Sequence, residues 1–279
     1  MIRIGEYQTL TIDRELPQGF YLVDNDGDDV LYPRSYISPE MQVGDKLEVF
    51  VYCDSYGREV ATNETPLLTV GEFAPLKVTH ITRVGAFCEW GTSKELLIPH
   101  ANQGHSLKEG LTYVVYMYLD NFSERLVGST KLRKYLEMEA DENLKMGQEV
   151  SLIVYDFTDI GYKAVVDQKY NGLIYKNEVK QSLKIGQRLN GYVKPIREDG
   201  KIDISLEPVG HNSIGNNEDI ILERLELAHG FLPFHDKSDP QAIRKEFGMS
   251  KKLFKKIIGS LYKQRKIRIM KGGIWLNEE

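Results

Sequence analysis

Nine glycines of this sequence stand in three matched columns. Gly5, Gly19 and Gly44 are separated by 14 and 25 residues, and the same two intervals separate Gly71, Gly85 and Gly110, then Gly147, Gly161 and Gly186. Glycine occupies only 24 of 279 positions, so three coincident triplets mean one unit used three times. A period of this size marks a repeated small domain rather than a single large core.

The same events recur between the glycines of each unit. The first glycine precedes an alternating stretch, such as Val150, Leu152 and Val154 interleaved with Ser151, Ile153 and Tyr155, which is the period of a half-buried strand. The second opens another apolar run: Gly19-Phe20-Tyr21-Leu22-Val23, Gly85-Ala86-Phe87-Cys88, or Gly161-Tyr162-Lys163-Ala164-Val165-Val166. A short third run follows, Glu95-Leu96-Leu97-Ile98 or Gly172-Leu173-Ile174-Tyr175, and the third glycine leads into a fourth, as in Leu47-Glu48-Val49-Phe50-Val51. Polar turns at 54–58, 120–124 and 197–200 join the fourth run to the last. Five strands this short make too small an open sheet to cover both faces, and closure removes both free edges. Each unit is therefore expected to be a five-stranded barrel of the OB type, the three occupying residues 1–68, 69–142 and 143–210. Gly71 and Gly147 lie 76 residues apart against 66 for Gly5 and Gly71, and the excess falls at residues 131–138, read as a helical connector.

Residues 210–217 are polar and glycine-containing and read as a linker. Beyond them the period changes. Ile221, Leu222, Leu225 and Ala228 form a helical stripe over 219–229, Asp239 and Pro240 announce a second helix that Gly248 stops, and Ser250 caps a third carrying Leu253, Ile257, Ile258 and Leu261. Residues 267–270 and 274–276, flanking Lys271, Gly272 and Gly273, read as a hairpin. Three helices and a hairpin over 217–279 predict an α+β winged-helix domain, so the chain as a whole is expected to be mainly β.

The formal net charge of −5 would argue against a polyanionic partner if it were evenly spread. It is not. Residues 1–70 hold five Lys or Arg against thirteen Asp or Glu, whereas 218–279 hold thirteen against nine. Between 244 and 271 eleven basic side chains face one acid, Glu246. Phosphate is repelled by the acidic first unit and attracted by the basic tail, so the predicted contacts there are Lys251, Lys252, Lys255, Lys256, Lys263, Arg265, Lys266, Arg268 and Lys271.

Other chemistries find no residues to carry them. Cys53 and Cys88, the two cysteines, sit within alternating strands and read as buried thiols. The six histidines show no ligand spacing with them, and the acidic run Asp24, Asp26, Asp28 and Asp29 lacks the glycine and final glutamate of a calcium loop, so it reads as a solvated turn. The sequence holds no phosphate loop, nucleophile elbow or dinucleotide fingerprint. No cofactor, metal or enzymatic activity is predicted. With no secretory signal and no apolar run of about 18 residues, the chain is expected to be soluble and cytoplasmic, without a membrane partner.

The second unit, through Ile81-Thr82-Arg83-Val84-Gly85-Ala86-Phe87, resembles the strand that carries binding aromatics in S1 RNA-binding domains. The third, through Gly161-Tyr162-Lys163, Gly172-Leu173-Ile174-Tyr175-Lys176-Asn177-Glu178-Val179 and residues 196–206, is similar to the bacterial conserved virulence factor B family of YitL-like proteins. That resemblance extends over nearly the whole chain. It implies three S1-type barrels, a C-terminal winged helix, an RNA-binding role and no known enzymatic activity. It places Phe87 at the S1 aromatic after the glycine, puts Tyr175 and Tyr32 where S1 domains carry a His or aromatic on the third strand, and adds Tyr162, Lys163 and Lys176 as barrel contacts. Val84, Ile98 and Lys163 depart from the S1 pattern.

Three uses follow. The first is a regulator binding single-stranded RNA, its barrels offering aromatic surfaces to unpaired bases and its winged helix holding the backbone. The second is a transcription regulator with the third C-terminal helix in a DNA groove, and the third a ribosome-associated scaffold using the acidic first barrel.

Overall fold

The computed structural model describes residues 1–208, 215–270 and 272–277. They form two compact units, one holding most of the three barrels and the other the C-terminal helices and sheet.

The first barrel comprises β1 (Tyr7–Leu16), β2 (Gly19–Val23), β3 (Asp29–Pro33), β4 (Lys46–Cys53) and β5 (Glu59–Thr62), closed in the order β1-β2-β3-β5-β4. The second repeats this order with β6 (Phe73–Ile81), β7 (Gly85–Glu89), β8 (Leu96–Pro99), β9 (Thr112–Asp120) and β10 (Arg125–Ser129). The third does so with β11 (Glu149–Phe157), β12 (Gly161–Val166), β13 (Tyr170–Tyr175), β14 (Arg188–Val193) and β15 (Ile202–Ser205). Each closes through a parallel pairing of its third and fifth strands, seen at Leu31 with Val60, Leu97 with Val127, and Leu173 with Asp203.

Each glycine column has one job. The first-column N–H groups donate to a fourth-strand carbonyl, Gly5 to Val51 (2.7 Å), Gly71 to Met117 (2.9 Å) and Gly147 to Val193 (2.8 Å). Those of the third column donate back to the first strand, Gly44 to Ile12, Gly110 to Val78 and Gly186 to Val154, all at 2.8 Å. The second column is a close approach: a Cβ on Gly19, Gly85 or Gly161 would lie 2.1, 2.2 or 2.1 Å from the carbonyl oxygen of Tyr32, Ile98 or Ile174. Because that neighbour is backbone, it cannot swing aside. Gly85→Ala is expected to cost about 3 kcal/mol or more of stability, against about 1 kcal/mol for Gly110→Ala, whose Cβ would meet nothing within 4 Å. Urea denaturation of the two variants checks the ranking.

The barrels are not independent beads. Phe50, Tyr52, Val60 and Leu68 share one buried cluster with Leu76, Val78, Trp90, Leu96, Val115 and Met117 of the second barrel. Phe50 and Trp90 meet edge to face at 5.7 Å. The Lys94 ammonium donates to the carbonyls of Cys53 (2.6 Å) and Asp54 (2.8 Å), with burial lowering its pKa. The second and third barrels join through Phe73, Val114, Leu132, Leu136, Ile153 and Val165. Gln168 seals this joint, its side-chain oxygen accepting from the Phe73 N–H (2.7 Å) while its amide donates to the Phe73 carbonyl (3.0 Å).

The connector departs from the helix predicted over 131–138. Only one 3₁₀ turn forms, Leu132–Lys134. Leu132 and Leu136 do share a face, but Glu137 is captured by a parallel bridge to Tyr170 of β13, which ends the turn before a helix can propagate.

The second unit is the predicted winged helix: α1 (Gly215–Leu227), β16 (Phe231–Leu232), α2 (Pro240–Phe247), α3 (Lys251–Lys263), β17 (Ile267–Met270) and β18 (Gly273–Leu276), with sheet order β16-β18-β17. The Asp239 carboxylate accepts from the Ala242 N–H (2.9 Å), the Ser250 hydroxyl accepts from the Leu253 N–H (3.2 Å), and Gly248 takes the left-handed conformation at φ 68°. Ile221, Leu225, Ile243, Phe254, Ile257, Ile258 and Leu261 form the core with Ile267 and Ile274 of the hairpin. β16 was not predicted, since two residues carry no period. The predicted linker lies mostly outside the described residues, and its last three positions, 215–217, belong to α1 instead. Lys271 also lies outside them.

Cys53 and Cys88 are free and buried, burial pushing the Cys88 thiol up to about 12. The acidic run is a turn, in which an Asp24 carboxylate oxygen accepts from the N–H groups of Asp26 and Asp28. Among the described residues no cluster could hold a metal ion, and no helix is long and apolar enough to cross a membrane.

Candidate nucleic-acid interface

All three barrels carry one cross-strand pair at the same place. A bulge in the first strand brings Arg14 opposite Tyr21, His80 opposite Phe87 and Asp156 opposite Lys163. Each second-strand member also faces a leucine of the third strand, Leu31, Leu97 or Leu173. The chemistry differs by barrel. The Arg14 guanidinium lies 4.5 Å above the Tyr21 ring and is ion-paired to Asp13 and Asp29. His80 stacks on Phe87 at 4.7 Å with planes 6° apart. The Lys163 ammonium pairs with Asp156 at 2.7 Å. One scaffold position is thus a neutralised cation–π pair, an aromatic stack, or an ion pair.

The second barrel opens this position into a cleft of about 620 Å³ lined by Phe87, Leu97, Asn102, Tyr118, Arg125 and Val127, with Tyr52 and Cys53 contributed by β4. Phe87, half-buried and backed by His80, forms one wall. The Asn102 amide donates to the Tyr118 hydroxyl (2.8 Å) and the Gly128 carbonyl (3.3 Å), which fixes both side chains. Apolar and aromatic walls suit a flat heterocycle, and the charged lining is balanced, Lys94 and Arg125 against Glu95 and Asp120. His80, Asn102, Tyr118 and Arg125 carry no local sequence signal of a site, since they come from separate strands and a turn. The repeat does mark His80, which stands nine residues after Gly71 just as Arg14 follows Gly5 and Asp156 follows Gly147.

In the third barrel the predicted residues are dispersed. Tyr162 packs edge-on against Phe157 at 5.5 Å and lines, with Lys176, Thr158 and Leu183, a cavity of about 290 Å³. Lys163 faces a different cleft, and the Tyr175 hydroxyl donates to Asp203 at 3.1 Å. The equivalence drawn between Tyr32, Ile98 and Tyr175 does not hold. Tyr32 and Ile98 pair with Phe20 and Ala86 and are buried, and the matching residue of the third barrel is Ile174, opposite Tyr162. Tyr175 pairs with Gly161, where the other barrels place Pro33 and Pro99. A shift of one residue along a strand exchanges its two faces, so Tyr32 is core and Tyr175 is not its counterpart.

On the winged helix, Lys252, Lys255, Lys256 and Lys263 are exposed on α3, Arg265, Lys266 and Arg268 are exposed beyond it, and Lys251 is half-buried. Lys255 has Asp236 at 3.8 Å; the others have no ion pair among the described residues. Glu246, the sole acid of the basic run, lies 3.7 Å from Arg224. Apart from Lys255, these cations are therefore left without a paired acid among the described residues. Trp275, in register with Arg268 and 4.3 Å from Phe231, adds a half-exposed indole that alternation with buried Ile274 could have revealed.

Residues 219–276 match the CvfB-like winged helix domain and residues 4–64 match the S1 domain. The YitL protein of Bacillus subtilis is 28% identical over 95% of this chain and 91% of its own length. Conserved virulence factor B of Staphylococcus epidermidis is 27% identical (99% and 95%), and that of Staphylococcus saprophyticus 29% (91% and 87%). A crystal structure of a multidomain protein with nucleic acid binding domains from Streptococcus pneumoniae is 25% identical, covers 98% of both chains and gives a TM-score of 0.42. S1 and winged-helix domains are nucleic-acid-binding domain types.

Proposed function

We propose that this chain, similar over nearly its full length to the conserved virulence factor B and YitL proteins, binds single-stranded RNA and regulates gene expression after transcription. The observation that carries the reading is the Phe87 cleft of the second barrel, which has the aromatic and apolar walls an unpaired base needs, whereas bases stacked within a duplex are not free to enter such a cleft. The basic face of α3 and the residues beyond it supply the sequence-independent grip on phosphate. Binding of duplex DNA through α3 is the weaker reading. The exposed middle of that helix carries Lys252, Lys255 and Lys256 but no Asn, Gln or Arg to read base edges.

Phe87→Ala tests the cleft. A base stacked on an aromatic is worth about 1–3 kcal/mol, so affinity for a single-stranded oligoribonucleotide should fall about 5- to 150-fold. The slope of log affinity against log salt should not change, because no charge is removed. An unaltered affinity would remove the cleft from the interface.

A further inference from the structure

A second cleft, of about 410 Å³, lies at the joint of the second and third barrels, and its charge is one-sided. Lys131, Arg133, Lys134 and Lys163 line it against a single acid, Asp156, in a chain whose net charge is negative. Asp156 is already taken by Lys163 at 2.7 Å, and the Lys131 ammonium donates to the Ala101 carbonyl at 2.6 Å. Arg133 and Lys134 are exposed and have no ion pair among the described residues. Leu132, between Lys131 and Arg133, is locked into the inter-barrel core, so these cations sit on a fixed turn rather than a free loop.

The cleft is also joined to the first one. Ala101 and Asn102 line the Phe87 cleft, and the same ledge is bonded to the basic segment: the Thr130 N–H donates to the Asn102 carbonyl (3.0 Å) and the Gly104 N–H to the Thr130 hydroxyl (3.0 Å). The second cleft is also lined by Lys163, the third-barrel counterpart of Phe87. The same scaffold position that offers a base an aromatic in one barrel thus offers a cation in the next.

We infer that the joint is a phosphodiester-binding site: a single strand whose bases lie in the Phe87 cleft passes its backbone over Lys131, Arg133 and Lys134 onto the third barrel at Lys163. This rests on the reading of the chain as a binder of single-stranded RNA, and it adds a direction and a minimum length to that reading. A strand too short to leave the second barrel gains nothing from the joint.

The test uses the full chain with Arg133→Glu and Lys134→Glu combined, both at exposed positions, and with Arg133→Lys and Lys134→Arg combined as the charge-conserving control. For a long labelled oligoribonucleotide the reversal should raise the dissociation constant about tenfold or more and make the log affinity against log salt slope shallower by about 1.4, two single-strand phosphate contacts at about 0.7 each. The control should keep both, and a trinucleotide should bind the parent and the reversed variant equally. Unchanged affinity and slope for the long strand would overturn the joint while leaving RNA binding intact. Displacement of the long strand by millimolar inorganic phosphate as effectively as by unlabelled RNA would overturn it too, by showing a free-anion site. Failure of the unaltered protein to bind any strand would sink the functional reading itself, and the joint with it.

Discussion

Exchange of Lys252, Lys255 and Lys256 for glutamate is expected to weaken binding of single-stranded RNA by about a hundredfold or more at low salt. The three ammonium groups are exposed on α3, and among the described residues only Lys255 has an ion-pair partner, Asp236 at 3.8 Å. Each is therefore free to displace a counterion from the nucleic acid, and losing three such contacts should flatten the log affinity against log salt slope by about 2. The reversed charges add repulsion that a change to alanine would not. Stability should hardly move, since the packed side of α3 is Phe254, Ile257, Ile258 and Leu261 and none of these is touched. Thermal denaturation with salt-dependent binding separates the outcomes. A folded variant with parental affinity would take α3 out of the interface.

Trp90→Ala should cost about 3–5 kcal/mol, the range for emptying a buried aromatic site. Trp90 is 2% exposed, donates its indole N–H to the Lys94 carbonyl and meets Phe50 of the first barrel edge to face. The cavity opens where two barrels share one core, so the destabilisation belongs to both. Urea denaturation of the variant should show the first two barrels unfolding in one transition at a lower midpoint. A first barrel that stays folded while the second melts would show that the shared cluster does not couple them.

Much of this architecture was readable because glycine reports backbone directly. The second column is glycine in all three barrels for one reason, a carbonyl about 2 Å from where a Cβ would stand. Three identical intervals in a sequence therefore translate into three identical closures. The winged helix was equally legible through Asp239, Gly248 and Ser250, whose capping roles depend only on neighbours along the chain. What the sequence hid is what depends on distant partners. Leu132 and Leu136 have helical spacing, but Glu137 is claimed by a strand some thirty residues later, and no local pattern encodes that bridge. The placing of Tyr175 beside Tyr32 has a related cause: both are third-strand tyrosines, but they differ in register by one position, and that moves a side chain from the barrel interior to its surface.

The candidate site was legible in part. Phe87 stood out because an aromatic two residues after a glycine is an S1 feature, and the structure puts it on the wall of the cleft of about 620 Å³. His80, Tyr118 and Arg125 come from other strands and gather only when the barrel closes. The same is true of Arg133 and Lys134, which in sequence are two basic residues in a connector and in space border a cleft between barrels.

A fluorescence-polarisation titration of the intact protein with a labelled single-stranded oligoribonucleotide, from about 50 to 300 mM salt and with duplex DNA of equal length as competitor, decides whether the chain binds unpaired RNA. Saturable binding that weakens linearly on the double-logarithmic plot, and that the duplex displaces poorly, is the predicted result. Protein that remains folded by circular dichroism yet leaves the RNA free at the lowest salt, or prefers the duplex, would contradict it.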